Sequence, residues 1–253
     1  MKVDVDNMLH VALDVGEGLL EYGADVTRVE DTVVRICRCY GYEVDVFCIS
    51  SLLQASVIRG DGSTCTLIRR IKRNGYNLTR LELFNAISRD LCSGSLDLEH
   101  ARSRIDEANK YRAYHAFFYY LAALVGSASF CAFFGGDIYD VIAVALVSIP
   151  VMFMDLKVLR RGRMMVNTIV KAFVGGMLSN VIFMFGLGTN IDYICIGVIM
   201  LMIPGIRFGN SIQDFLNEDV LAGMAKFVQA LLMTIMIVLG FSLSTLVMER
   251  IWL

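Results

Sequence analysis

Residues 113–136, AYHAFFYYLAALVGSASFCAFFGG, contain no Asp, Glu, Lys or Arg. As a helix rising 1.5 Å per residue, this stretch is about 36 Å long, enough to cross the roughly 30 Å of hydrocarbon in a bilayer. It also marks an abrupt change in composition. Of the 48 charged residues, 32 lie in residues 1–112 and only 16 in residues 113–253. With 56% hydrophobic residues and a mean hydropathy of +0.60, the chain is too apolar for a soluble protein of its length. The expected division is a 1–112 cytosolic α+β domain followed by a 113–253 transmembrane domain.

Four more stretches read as spans. They are 138–154, with Asp140 near its start; 172–191, just after Lys171; 193–206, which holds Pro204-Gly205; and 227–248. The short second and fourth stretches also fit buried soluble helices or re-entrant segments, and the flanking charges decide between these readings. Arg102, Arg104, Lys110 and Arg112 precede the first span. Lys157, Arg160, Arg161, Arg163 and Lys171 lie between the second and third, and Arg207 and Lys226 between the fourth and fifth. The opposite loops, around Asp137, Asp140 and Asp192, hold no basic residue, and the C-terminal tail has only Arg250. Eleven basic residues against one predict the N-terminus inside and the C-terminus outside. The expected fold is thus a membrane all-α bundle of five transmembrane helices, preceded by a small cytosolic α+β domain.

In that domain, residues 8–22 form an amphipathic pattern, with Leu9, Ala12, Leu13, Gly16, Leu19 and Leu20 on the apolar side. Asp25 can cap a second helix running to Gly41, with Val26, Val29, Val33, Ile36 and Tyr40 inward. The runs YEVDVFCI, LLQASVIR and STCTLIRR read as strands, the last two joined through Gly60-Asp61-Gly62. Helices at about 78–92 and 96–110 follow, the second capped by Ser95. The opening MKVDVDNMLHVALDVGEG is too polar for a signal peptide, which predicts a cytosolic first domain. The seven scattered cysteines read as reduced thiols rather than a disulfide framework, and the Cys37-x-Cys39 pair is a weak metal signal. A net charge of −2 gives no argument for nucleic acid. No P-loop, nucleophile elbow or zinc spacing is present, so no cofactor or metal is called for.

Three features compete for a chemical role. Asp14, Glu17 and Glu21 share a helix face that reads as a solvated surface before it reads as an acid/base or metal cluster. The basic run Arg69, Arg70, Lys72 and Arg73 reads as a solvated loop, with lipid headgroups as its alternative contact. The third feature is proline. Pro150 and Pro204, the chain's two prolines, both fall inside spans, where each frees a backbone carbonyl. In lipid such a group needs protein or a watery cavity, and transporters use broken helices of this kind at their substrate sites. At Pro150 a plain kink and a functional break stand equal. After Pro204 come Gly205, Asn210, Ser211 and Asp214, then Glu218 and Asp219. The amide and hydroxyl groups suit a zwitterion or carboxylate, and Asp214 or Asp219 can answer an ammonium or carry a coupling proton. The plain alternative is solvated acids at the membrane edge. Gly126, Ser127, Ser129, Gly175, Gly176 and Ser179 read as helix-packing residues, and Asn180 also as a lining residue of a solute path.

At this point two stretches carry a resemblance. GEGLLEYGADVTRVEDTVVRICRCYGYEVDVF, residues 16–47, and MLMIPGIRFGNSIQDFLNEDVLAGMAK, residues 200–226, resemble the threonine/serine exporter family, most closely the N-terminal half found in its split, half-length bacterial members. The resemblance implies export of small amino acids, or of related small carboxylates such as succinate, across the bacterial inner membrane, driven by protons. It implies a partner too, a second small membrane protein supplying about five further spans, and hence a hetero-oligomer. Arg28, Glu30, Pro204, Gly205, Asn210, Ser211 and Asp214 carry the signature, while Gln213 stands where the family often has a basic residue. Two other functions compete. One is a regulatory or scaffolding membrane subunit whose partner carries transport. The other is a membrane-embedded hydrolase built on Ser127 or Ser129 with Asp137 and Asp140, which lacks a histidine base near any serine.

Overall fold

A computed structural model describes residues 4–72, 75–111, 114–159 and 164–252. Arg73, Arg112, Arg160, Arg161 and Arg163, and the expected 112/113 boundary, lie outside the described residues. The chain divides into two compact units. One comprises the described part of Met1–Ala113 together with Phe208–Phe227, and the other Tyr114–Arg207 with Val228–Leu253.

The first unit contains α1 (Val5–Glu21), α2 (Val26–Cys39), β1 (Val44–Ile49), β2 (Leu52–Ile58), β3 (Thr64–Arg70), α3 (Leu78–Ser93) and α4 (Leu98–Lys110). Helix α1 is its centre. The six residues expected on its apolar side are buried, and Met8, Val11, Val15 and Gly18 are buried with them. So wide a buried stripe means that neighbours enclose α1 on several sides. At Gly18 the approach is so close that a Cβ would come within 2.1 Å of the Phe84 ring on α3. Asp25 caps α2 by accepting from the Arg28 N–H at 2.8 Å, and Val26, Val29, Val33 and Ile36 are buried as the periodicity requires.

The sheet is an antiparallel meander, β1-β2-β3. Leu53, Ala55 and Val57 of β2 point into the core, and Arg69 is the cross-strand partner of Leu53. Directly paired residues share a face, so the register turns Arg69 toward the α1 side. It meets Asp14 at 3.0 Å and Glu17 at 3.6 Å. Two of the three acids on that face of α1, Asp14 and Glu17, are therefore ion-paired while about a third of each side chain stays exposed, and Arg69 is not a free loop residue. Arg70 and Lys72 remain exposed. A second correction concerns α4, whose cap is Asp97, accepting from the His100 N–H at 2.8 Å, in place of Ser95.

The remaining helices are α5 (Ala116–Phe133), α6 (Ile138–Phe153) with a π-helical turn (Met154–Val158), α7 (Met164–Met184), α8 (Ile191–Met200), α9 (Gly205–Leu216) and α10 (Val220–Trp252). Four are long and apolar enough to cross a membrane. The α8–α9 pair, bent by 56°, makes a fifth if it counts as one broken span. Two of these helices begin earlier than their charges suggest. Helix α7 starts at Met164 and contains Lys171, whose Nζ reaches Asp155 Oδ1 at 2.6 Å. Helix α10 starts at Val220 and contains Lys226. A paired lysine does not end a helix.

The second unit has its own core, including Val144, Val147, Ala172, Ile194, Val198, Ile237 and Phe241. Gly175 and Gly176 pack as expected, since a Cβ would lie 3.1 Å from Val198 and 2.0 Å from Ser244, respectively. Gly126 faces open space and Ser129 is exposed, so neither serves close packing. Phe117, Phe133 and Phe185 lie outward. Apolar surface of that kind suits hydrocarbon rather than water.

Candidate functional site

Pro204 lies at the break itself. Residues 201–204 are non-helical, and α9 starts at Gly205, where the fixed φ of a preceding proline leads into the first turn. Pro150, by contrast, is carried inside α6, and its missing N–H is followed by the π-helical turn rather than by a break.

Beyond the break, Phe208–Phe227 belongs to the first unit. Asn210 Nδ2 donates to the Gly23 carbonyl at 3.2 Å, and Gln213 Nε2 donates to Asp25 Oδ2 at 3.4 Å. Ser211 is fully buried and turns its hydroxyl back to the Phe208 carbonyl at 2.8 Å. The chain reverses at 217–219, through Glu218 at φ 65°. Asp219 then caps α10 by accepting from the Ala222 N–H at 3.2 Å, and Ala222 joins the first unit's hydrophobic core. The reversal sets Lys226 Nζ 2.7 Å from Asp214 Oδ2. Asp214 has no exposed surface and Lys226 very little. The contact is ionic, off-line for a hydrogen bond, and neither Asp214 oxygen has a hydrogen-bond donor among the described residues. Asp214 is therefore not the solvated acid of the plain alternative; Asp219 is half-buried.

On α2, Glu30 points toward the same place. Its Oε1 accepts from the Cys48 N–H at 2.7 Å. Burial pushes the Glu30 carboxyl up, the Cys48 N–H opposes that, and the charges of Asp219 and Asp31 add to it. Burial likewise pushes the Cys48 thiol up to about 12, with Glu30 and Asp219 contributing in the same direction and Lys226 against. Glu30, Asp219 and Asp214 on one side and Lys226 on the other all act electrostatically on Cys48, so three carboxylates and one ammonium lie within reach of a single thiol. The surplus of negative charge is what a proton or an incoming cation would neutralise.

The structure brings Glu30, Asn210, Ser211, Asp214 and Asp219 into one unit and adds Lys226, which sequence reasoning treated only as a loop charge. Arg28 is two positions from Glu30 on α2 and so faces away from it. Asn180 belongs to the second unit. It donates to the Gly176 carbonyl at 2.8 Å and lines a cavity of about 280 Å³ with Thr245 and Glu249. Asp137 and Asp140, the acids of the hydrolase alternative, are engaged in capping. Asp137 accepts from the Tyr139 and Asp140 N–H groups, and Asp140 from those of Thr189 and Asn190. Ser127 Oγ is turned to the Leu124 carbonyl. Among the described residues no group of three or more His, Cys, Asp or Glu could hold a metal ion. Cys37 is buried and Cys39 exposed.

A family model described as "Putative threonine/serine exporter" matches residues 10–248. The chain belongs to the threonine/serine exporter family. No curated protein and no solved structure is similar enough to match. Membership together with four to five candidate spans makes this a multi-pass membrane protein of a transporter family. The two stretches that resemble the exporters in sequence, 16–47 and 200–226, meet in space. Gly23 and Asp25 of the first bond Asn210 and Gln213 of the second.

Proposed function

We propose that this chain is one subunit of a two-component secondary exporter of small amino acids of the threonine/serine type, or of related small carboxylates such as succinate, coupled to protons. A second small membrane protein would supply the other half. The chain would sit in the bacterial inner membrane with its N-terminal unit in the cytosol and its C-terminus outside, a reading supported by the eleven-to-one bias of basic residues. Pro204 and Gly205 would form the opening in the broken fourth span, Asn210 and Ser211 would meet the solute, and Asn180 is a separate candidate contact.

The observation that carries the coupling is the buried Asp214–Lys226 pair beside Glu30 and Asp219. An ion pair with no hydrogen-bond partners among the described residues holds its charges only while both members stay in place. Displacing Lys226, or bringing in a solute ammonium, changes the protonation that Asp214 can sustain. Asp219, half-exposed at the cap of α10, is the candidate relay to water. Efflux from cells carrying both subunits tests the assignment. Pro204→Ala combined with Asp214→Asn is expected to abolish it, and undiminished efflux would remove this site from consideration.

One observation favours a second reading, a regulatory subunit whose partner carries transport: the signature segment 208–227 packs in the N-terminal unit. Reconstituting the partner alone separates the two. Full transport without this chain would support the regulatory reading.

A further inference from the structure

Helices α2 and α3 of the first unit enclose a cavity of about 250 Å³ that none of the proposed transport residues except Arg28 touches. Its lining is polar and graded. The inner wall is Thr32, Asn85 and Ser88, exposed by 1%, 6% and 1%. The rim is Arg28, Asp31, Arg35 and Arg89, all exposed. Thr32 gives its hydroxyl proton to the Arg28 carbonyl at 2.8 Å and Ser88 to the Asn85 carbonyl at 2.8 Å, which leaves each hydroxyl oxygen with lone pairs able to accept. The Asn85 side chain, more than nine-tenths buried, lines the same cavity with an amide able both to donate and to accept.

We propose that this cavity is a binding site for a small zwitterionic α-amino acid on the N-terminal unit. At the rim, Arg89 is already held by Glu82 at 2.7 Å and Arg35 also reaches the Cys92 thiol, which leaves Arg28 and the remaining N–H groups of Arg35 to grip a carboxylate. Asp31, one turn from each on the same helix, supplies the opposite charge for an ammonium. The buried amide and hydroxyls then select a small, polar side chain. A bare anion would leave Asp31 repelling it, and a bare amine would leave two guanidinium groups unanswered. The inference stands on this lining and does not require the chain to carry the ligand across the membrane.

Calorimetric titration of the full chain, purified in detergent, with L-serine and L-threonine tests it. Saturable binding is expected, weakened about tenfold or more by Arg35→Ala or Asn85→Leu, each removing a charged or buried hydrogen bond. Lactate, which lacks the amine, ethanolamine, which lacks the carboxylate, and inorganic phosphate are expected to bind at least about tenfold more weakly for the same reason. Arg35→Lys, which keeps charge without the fork, should fall between Arg35→Ala and the unaltered protein. Melting curves confirm that the variants are folded, and the Arg35→Lys result decides if Arg35→Ala is not. No saturable binding, unchanged affinity in folded Arg35→Ala, or phosphate or lactate binding as tightly as serine would each overturn the proposal.

Discussion

Lys226 Nζ lies 2.7 Å from the Oδ2 of Asp214, a carboxylate with no exposed surface, across a chain reversal that returns α10 alongside α9. Removing one member of such a pair leaves an uncompensated charge in a dry place, at a cost of about 3–5 kcal/mol. Lys226→Met alone should therefore lower the melting temperature of the purified protein sharply. Asp214→Leu combined with Lys226→Met should recover most of that loss, while efflux stays abolished in both. A double variant as unstable as the single one would show that the pair does not act as a unit.

Glu30 gives a pH dependence with a defined sign. Burial raises its folded-state carboxyl above the usual 4.5, so the folded chain holds a proton there that the unfolded chain has released. Stability then falls as pH rises from about 4.5 through the folded value, and the full penalty persists above it. Glu30→Gln keeps an acceptor for the Cys48 N–H and removes the ionisation. It should flatten this part of the stability–pH curve without lowering stability at neutral pH. Glu30→Ala leaves the Cys48 N–H without its partner and should cost about 1–3 kcal/mol. Equal pH slopes in the Gln variant and the parent, measured by denaturation from pH 4 to 8, would exclude Glu30 as the source.

Much of this was legible in the sequence, and the parts that were not share a cause. The apolar spans, the inward faces of α1 and α2, the meander and the break at Pro204 follow from local pattern, because hydrophobic period and turn chemistry act over a few residues. The pairing of Arg69 with Asp14 and Glu17 depends on strand register, and that of Asp214 with Lys226 on the direction of the chain after Glu218. Neither is written in any window. Basic residues read by sign alone are topology markers or surface groups, so the sequence places Lys171 and Lys226 just before the helices that in fact contain them. Asn85 and Ser88 carry no motif at all, and only the packing of α3 against α2 turns them into the inner wall of a cavity.

Asp140 is a clamp rather than a reactive acid. Its Oδ1 accepts from the Thr189 N–H at 2.7 Å and the Asn190 N–H at 2.9 Å, and its Oδ2 takes the Asp137 N–H at 3.2 Å. One carboxylate thereby ties the start of α6 to the loop entering α8. Asp140→Ala orphans several N–H groups at once and should cost about 3 kcal/mol or more, since each buried unsatisfied donor costs about 1–3 kcal/mol. Asp140→Asn, which retains one carbonyl acceptor, should cost less. Asp137→Asn should leave any trace hydrolysis in purified protein unaltered, and a hydrolytic activity lost in that variant would restore the catalytic reading.

Two helical glycines with the same local sequence character have opposite expected responses to alanine. At Gly240 on α10 a Cβ would lie 2.5 Å from the Ala172 Cβ, 2.7 Å from the Ile169 carbonyl oxygen and 2.9 Å from the Phe173 nitrogen on α7. Two of these atoms are backbone, so the helices must separate to admit even a methyl group, and overpacking of this kind costs about 1–3 kcal/mol. At Gly126 on α5 no atom lies within 4 Å of the corresponding position. There alanine adds only helix propensity, so stability should be unchanged or higher by up to about 1 kcal/mol. Thermal melting of Gly240→Ala and Gly126→Ala side by side in one detergent measures the contrast directly. Because both substitutions add one methyl group to an apolar helix, equal shifts would mean that α7 and α10 do not meet at Gly240, and the packing of the second unit would have to be redrawn.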